Sequence, residues 1–113
     1  MRKTFLKEVT VLSVYDFHND EKIYLGRMLT GIVYSDQTYR FVAGQRVITS
    51  TIQSSEYLEF TTKSGDCYIS HDKPENFELR ISEFVVMRHL LLSPDEVLEA
   101  REKIECEDAK KLH

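Results

Sequence analysis

From Met28 to Ser70 the sequence alternates apolar and polar residues and meets a turn signal every eight to twelve positions. Period-2 alternation marks strands with one buried face, and turns at that spacing mark an antiparallel meander. Ser35-Asp36-Gln37-Thr38, Ala43-Gly44-Gln45, Ser54-Ser55 and Ser64-Gly65-Asp66 are the turns. Tyr39–Val42, Arg46–Ile52, Tyr57–Thr62 and Cys67–Ser70 alternate between them and read as strands. Upstream, residues 4–17 read as a first strand. Phe5, Val9, Val11, Tyr15 and Phe17 share one parity and Leu6, Leu12 and Val14 the other, so the strand is central or covered on both sides. His18-Asn19-Asp20-Glu21 is a polar turn, and residues 22–34 form a long second strand with a bulge at Gly26.

Downstream, Asp72–Asn76 is a loop and Phe77, Leu79 and Ile81 begin another strand. Residues 82–92 contain the most apolar run of the chain and fit either a strand buried on both faces or a short helix. The β-branched pair Val85-Val86 favours the strand. Ser93-Pro94-Asp95-Glu96 is a capping box with proline at the first helical position, and it predicts a helix over 94–110. Val97, Ala100 and Ile104 form its narrow apolar stripe, and Glu99–Lys103 and Glu107–Lys111 are favourable i,i+4 pairs. The expected fold is therefore α+β: an antiparallel sheet of about six strands, curved or partly closed into a barrel, with one C-terminal helix, in a single domain over 1–113.

Charge divides the chain. Residues 1–50 hold seven Lys/Arg against five Asp/Glu, a balance of +2; residues 51–113 hold eight against fourteen, a balance of −6. An acidic chain without a basic cluster is a poor nucleic-acid binder, because such binding neutralises phosphates. It suits a basic protein partner. No apolar stretch is long enough to span a membrane and no signal peptide is recognisable, so a cytoplasmic protein is expected. Cys67 and Cys106 lie in different elements without close spacing, as unpaired thiols of a reducing compartment do, although a bridge between them stays open. His113 is open between a native residue and a remnant of a purification tag.

Chemistry-bearing residues are sparse. His18 and His71 lie in turns beside carboxylates and are the one pair that could supply acid and base to a metal-independent ribonuclease or other hydrolase. Cys67 has no cationic neighbour to activate it, and the four isolated glycines form no phosphate-cradling loop. No cofactor or metal site is expected. Six tyrosines without a tryptophan suggest a contact surface, since tyrosine joins a large apolar body to a polar tip. The candidate binding residues are Tyr39, Arg40, Arg46, Glu56, Tyr57, Glu59 and Asp66.

Gly31–Tyr34, Tyr39-Arg40-Phe41-Val42-Ala43-Gly44 and Val47–Ile52 resemble a pattern in small β-rich proteins of phages, prophages and toxin–immunity loci. There an R-F-x-x-G turn precedes I-x-T-S-x-I. The resemblance covers about 22 residues. It implies no catalytic residue. It implies a compact, non-enzymatic inhibitor, such as an immunity protein neutralising a toxin or a phage protein blocking a host factor. A self-associating phage component is the remaining alternative.

Overall fold

The computed structural model describes residues 2–111, with side chains as far as residue 106. Its elements are β1 (Lys3–His18), β2 (Glu21–Asp36), β3 (Arg46–Ile48), β4 (Ile52–Glu56), β5 (Glu59–Thr62), β6 (Cys67–Ser70), β7 (Glu75–Arg80), α1 (Ile81–Leu90) and α2 (Pro94–Lys111).

The apolar parities of β1 follow from its place. It pairs with β2 along its whole length, and with β6 and then β7 on its other edge. Opposite Gly31 the ladder gains one residue in β1 between Lys7 and Thr10, and Glu8 takes φ 52 there. That bulge reverses the parity. Leu6, Val9 and Val11 consequently share one core with Leu29, Val33, Val47, Ile52, Phe60 and Tyr68. Leu12 and Val14 face a second core of Leu79, Phe84, Met87 and Val97. Gly31 permits the bulge: a Cβ there would stand 3.1 Å from the Lys7 carbonyl oxygen and 3.2 Å from Leu6 Cβ and Val9 Cγ2.

The β1–β2 hairpin gives the molecule its 56 Å long axis. Its two turn residues, Asn19 and Asp20, have φ 52 and 67, the positive values a two-residue hairpin needs and that these residues tolerate. A second bulge sits at Leu25-Gly26, as expected, with Gly26 at φ 144.

The expected curved sheet is present: it has seven strands in the order β3-β2-β1-β6-β5-β4, with β7 also on β1, and it curls without closing into a barrel. Three expectations are corrected. The sheet is not purely antiparallel, since β6 and β7 run parallel to β1. Residues 39–42 are loop rather than strand, residues 46–52 break into β3 and the start of β4 on the two edges of the sheet, and Ser54-Ser55 lies within β4 rather than in a turn. Residues 81–90 form a helix, so there are two helices.

The helix wins over the β-branched pair through its ends and its burial. The Arg80 N–H donates to the Glu83 carboxylate at 2.9 Å, opening the helix. Phe84 and Met87, three apart, cover Leu12, Val14 and Leu79, while Val85 and Val86 stay exposed. The capping box of α2 is present, with Ser93 N–H donating to Glu96 at 3.0 Å and Glu96 N–H to Ser93 Oγ at 3.2 Å. Among the described residues no helix is long and apolar enough to cross a membrane. The pair Glu107–Lys111 and the nature of His113 lie outside the described side chains.

Candidate functional site

The loop that follows β2 is organised around Asp36. The Asp36 carboxylate accepts five hydrogen bonds: from the hydroxyls of Thr4 (2.8 Å) and Thr38 (2.6 Å), and from the N–H groups of Thr38 (3.0 Å), Arg40 (2.8 Å) and Phe41 (2.8 Å). Partial burial alone would raise its pKa. The Thr38, Phe41 and Thr4 donors outweigh burial and hold the carboxyl far below the usual carboxylate range. An aspartate that gathers the N–H groups following it is the familiar chemistry of turns. That signal stands in Ser35-Asp36-Gln37-Thr38, where the residues mark a turn without revealing how many donors it gathers.

This loop projects Tyr39 and turns Arg40 back onto the sheet. Arg40 Nη1 donates to Asp66 Oδ2 at 3.1 Å, its Nε donates to Thr38 Oγ1 at 3.0 Å, and its guanidinium lies 4.9 Å from the Phe41 ring centroid. Burial works against the charge on Arg40. Asp66 more than offsets it, so the arginine pKa rises. Asp66 also accepts from Ser64 Oγ at 3.0 Å, and Ser64 lies 2.9 Å from Thr62 Oγ1 and 3.0 Å from Ser50 Oγ. Loop 36–45 and turn 63–66 are thereby cross-braced at one end of the sheet.

Structure thus divides the seven candidate residues into four groups. Tyr39, Arg40 and Asp66 come together. Glu59 stands on β5 between Lys3 (3.2 Å) and the Cys67 thiol (3.1 Å). Glu56 and Tyr57 occupy the β4–β5 turn, at the opposite end of these short strands, where Tyr57 lies near Pro74 and Asn76. Arg46 is elsewhere again. It donates to Thr30 Oγ1 at 3.2 Å and lines a polar cleft of about 550 Å³ with Glu8, Lys73, Glu75 and Asp95. Charges of both signs share that cleft. Among the described residues no group of His, Cys, Asp and Glu could hold a metal ion.

The six tyrosines separate by what surrounds them. Tyr68 is buried. Tyr15 packs on Phe17 and Tyr24 at 5.4 and 6.2 Å, with the Lys22 ammonium over both tyrosine rings. Tyr34 contacts Phe5 and His71 at 6.1 and 5.7 Å. Tyr39 and Tyr57 differ from these: they are 86% and 90% exposed. Both also hold a positive φ, 61 and 54. That left-handed region suits glycine and costs a side-chain-bearing residue about 1–2 kcal/mol. Neither side chain offsets the strain by burial. The alternation places both tyrosines at the start of strands; the structure puts them in turns instead, and the backbone shows that each stands where glycine would be easier.

The other reactive groups are far apart or quiescent. The His71 N–H donates to the Leu6 carbonyl at 2.8 Å, while His18 ends β1. At about 3.3 Å per residue the two imidazoles are on the order of 40 Å apart, too far to act on one bond. Burial, with the Glu59 carboxylate beside it, pushes the Cys67 thiol up to about 11, so it is not a nucleophile at neutral pH. What remains is a pair of turns that hold bare aromatic rings in solvent. No protein family, no curated protein and no solved structure matches this chain.

Proposed function

We propose that the protein is a non-enzymatic protein-binding inhibitor, of the immunity-protein or phage-inhibitor kind that its sequence resemblance implies, and that Tyr39 and Tyr57 are its anchors. One observation carries this reading: two almost fully exposed tyrosines are held in a backbone conformation that disfavours them. Strain without a folding benefit is what a binding site retains. Rigid aromatic tips on hydrogen-bonded turns lose little entropy on contact, which favours affinity.

Electrostatics refines the partner. Glu59 and Asp66 are paired with Lys3 and Arg40. Glu56 beside Tyr57 has no ion-pair partner among the described residues, so a basic region of the partner belongs at that turn. Arg2, 5.7 Å from the Tyr39 ring, lends positive charge at the other.

The test uses Tyr39→Gly and Tyr57→Gly. Each should leave stability unchanged or raise it by about 1 kcal/mol, because glycine accepts the positive φ. Each should weaken a partner recovered by pulldown by about 2 kcal/mol, the scale of a tyrosine anchor. A partner that binds both variants as tightly as the parent refutes the anchor assignment. Hydrolysis of RNA or an ester, abolished by His18→Ala or His71→Ala, would refute the inhibitor reading itself.

A further inference from the structure

Beyond the first core the sheet narrows to β2, β1 and β7, and its two faces differ. Leu12, Val14 and Leu79 turn one face to the helices. Register fixes what the other face carries. Next to Val11 and Leu29 come Ser13, Arg27 and Glu78 in one row; Tyr15, Tyr24 and Arg80 form the following row, and Phe17 and Lys22 the last. Tyr24 and Arg27, three apart, share this face because the bulge at Leu25-Gly26 shifts the alternation between them. Side-chain contacts follow the same rows. The Lys22 ammonium lies 4.5 Å and 5.2 Å from the Tyr15 and Tyr24 ring centroids and binds the Glu78 carboxylate, which also accepts from the Tyr24 hydroxyl at 3.1 Å. The Arg80 guanidinium lies 5.2 Å from the Phe17 centroid. Phe17 and Tyr24 are 47% and 59% exposed.

No stretch of the sequence is basic, yet folding gathers Lys22, Arg27 and Arg80 onto this face from three separate places. Among the described residues one carboxylate, Glu78, shares the rows with them. Asp16 and Glu21 alternate onto the opposite face, and Asp20 stands in the turn. Glu83, which follows Arg80, is held by Arg101 at 2.7 Å and 2.9 Å. Arg27 and Arg80 have no ion-pair partner among the described residues.

We propose that this open face of the β1–β2 arm binds single-stranded nucleic acid, with Phe17 and Tyr24 stacking bases and Arg27 and Arg80 meeting phosphates. Charge complementarity calls for an anion, and the rings select which one. Rows on one face of a strand recur about every 7 Å, so aromatic rings and guanidinium groups alternate at short intervals along the arm. A single strand brings a flat base and a phosphate in every unit and satisfies both together. An acidic peptide supplies the charge but no stacking group at each step, and a duplex keeps its bases stacked on one another. Aromatic side chains on an open sheet face are a general means of holding unstacked bases. The proposal uses none of the residues of the tyrosine anchors, Tyr39 and Tyr57.

Fluorescence anisotropy of a labelled oligouridine of about ten nucleotides, titrated with the full chain, tests this. A dissociation constant of roughly tens of micromolar is expected at low salt, rising with salt at a logarithmic slope of about 2, as three cations on a single strand require. Phe17→Ala and Tyr24→Ala should each weaken binding roughly tenfold, while Tyr24→Phe, which keeps the ring, should bind as the parent does. Arg27→Gln and Arg80→Gln, both at exposed positions, should each lower the slope by about 0.7 with an unchanged circular dichroism spectrum, and they serve if a ring variant misfolds. Tyr39→Gly and Tyr57→Gly should bind the oligonucleotide as the parent does. Absence of binding up to about 1 mM protein overturns the proposal. So does affinity indifferent to the ring and arginine variants. A duplex or a polyglutamate peptide bound as tightly as the single strand also overturns it, the latter assigning the face to an acidic protein.

Discussion

The two cores on either face of β1 are closed by different means. Leu6, Val9, Val11, Leu29 and Val33 are enclosed by the sheet itself, which curls until β3, β5 and β6 bring Val47, Phe60 and Tyr68 against them. Leu12, Val14 and Leu79 are enclosed by a helix, which lays Phe84 and Met87 across them and draws Val97 in from α2. A sheet that folds over its own face carries one period throughout, so the alternation of each strand states the packing. A sheet closed by a helix needs a change of period, and at residues 81–90 that change is hidden in a nearly continuous apolar run. The cores also differ in what lies outside them: exposed tyrosines on turns, Tyr39 and Tyr57, beside the first, and exposed aliphatic side chains such as Val86, Leu90 and Ile104 along the helices of the second.

The largest expected effects come from opening each core in turn. Leu29→Ala and Leu79→Ala both empty fully buried sites and should each cost about 2–5 kcal/mol. Native-state hydrogen exchange then separates the lobes. In Leu79→Ala the amides of α1 and α2 should lose protection before those of β5 and β6, because the helices rest on that core alone. Equal loss everywhere would make the two cores one cooperative unit and dissolve the contrast.

Asp36 comes next, as the brace of the sheet-closed end. Asp36→Asn weakens the charge-assisted hydrogen bonds and should cost about 2 kcal/mol at neutral pH. Its lowered folded pKa determines the pH response. Stability from Asp36 is fully present above its ordinary unfolded value near about 3.9 and is lost as pH falls below that toward the lowered folded value. The gap between parent and variant should therefore narrow in acid. A gap that is constant from pH 7 to about 2 would show that the carboxylate charge is not what holds the loop.

The smallest effect belongs to the helical end. Ser93→Ala removes the N-cap of α2 and should cost about 1 kcal/mol. Its readout in exchange should be confined to the first turns of α2. If protection falls in β1 or β7 as well, the helix cap supports the second core more than Val97, the one buried residue among the described α2 side chains, suggests.

Much of this architecture was legible in residues. The two long strands, the bulge at Gly26, the Asn19-Asp20 turn and the capped α2 each announce themselves through local chemistry: alternation, glycine, tolerance of positive φ, and a serine three residues before a glutamate. The candidate site was less legible. The charges of Arg40 and Asp66 are plain in the sequence, but that they bind each other depends on two loops 26 residues apart in sequence meeting at one sheet end. The strain at Tyr39 and Tyr57 was invisible, because composition does not report φ.

Period and capping, being properties of neighbours along the chain, are what the sequence determined by itself: a curved, strand-rich protein with a helix at its end. Pairing between distant segments belongs to the tertiary structure. It decided that β6 and β7 both lie parallel to β1, since a central strand buried on both faces must find a partner on each edge. It decided that residues 81–90 coil, since Leu12, Val14 and Leu79 present a flat apolar face that Phe84 and Met87 cover at helical spacing. And it decided which exposed side chains matter, since only the folded backbone distinguishes a tyrosine resting in an easy turn from one held where a glycine belongs.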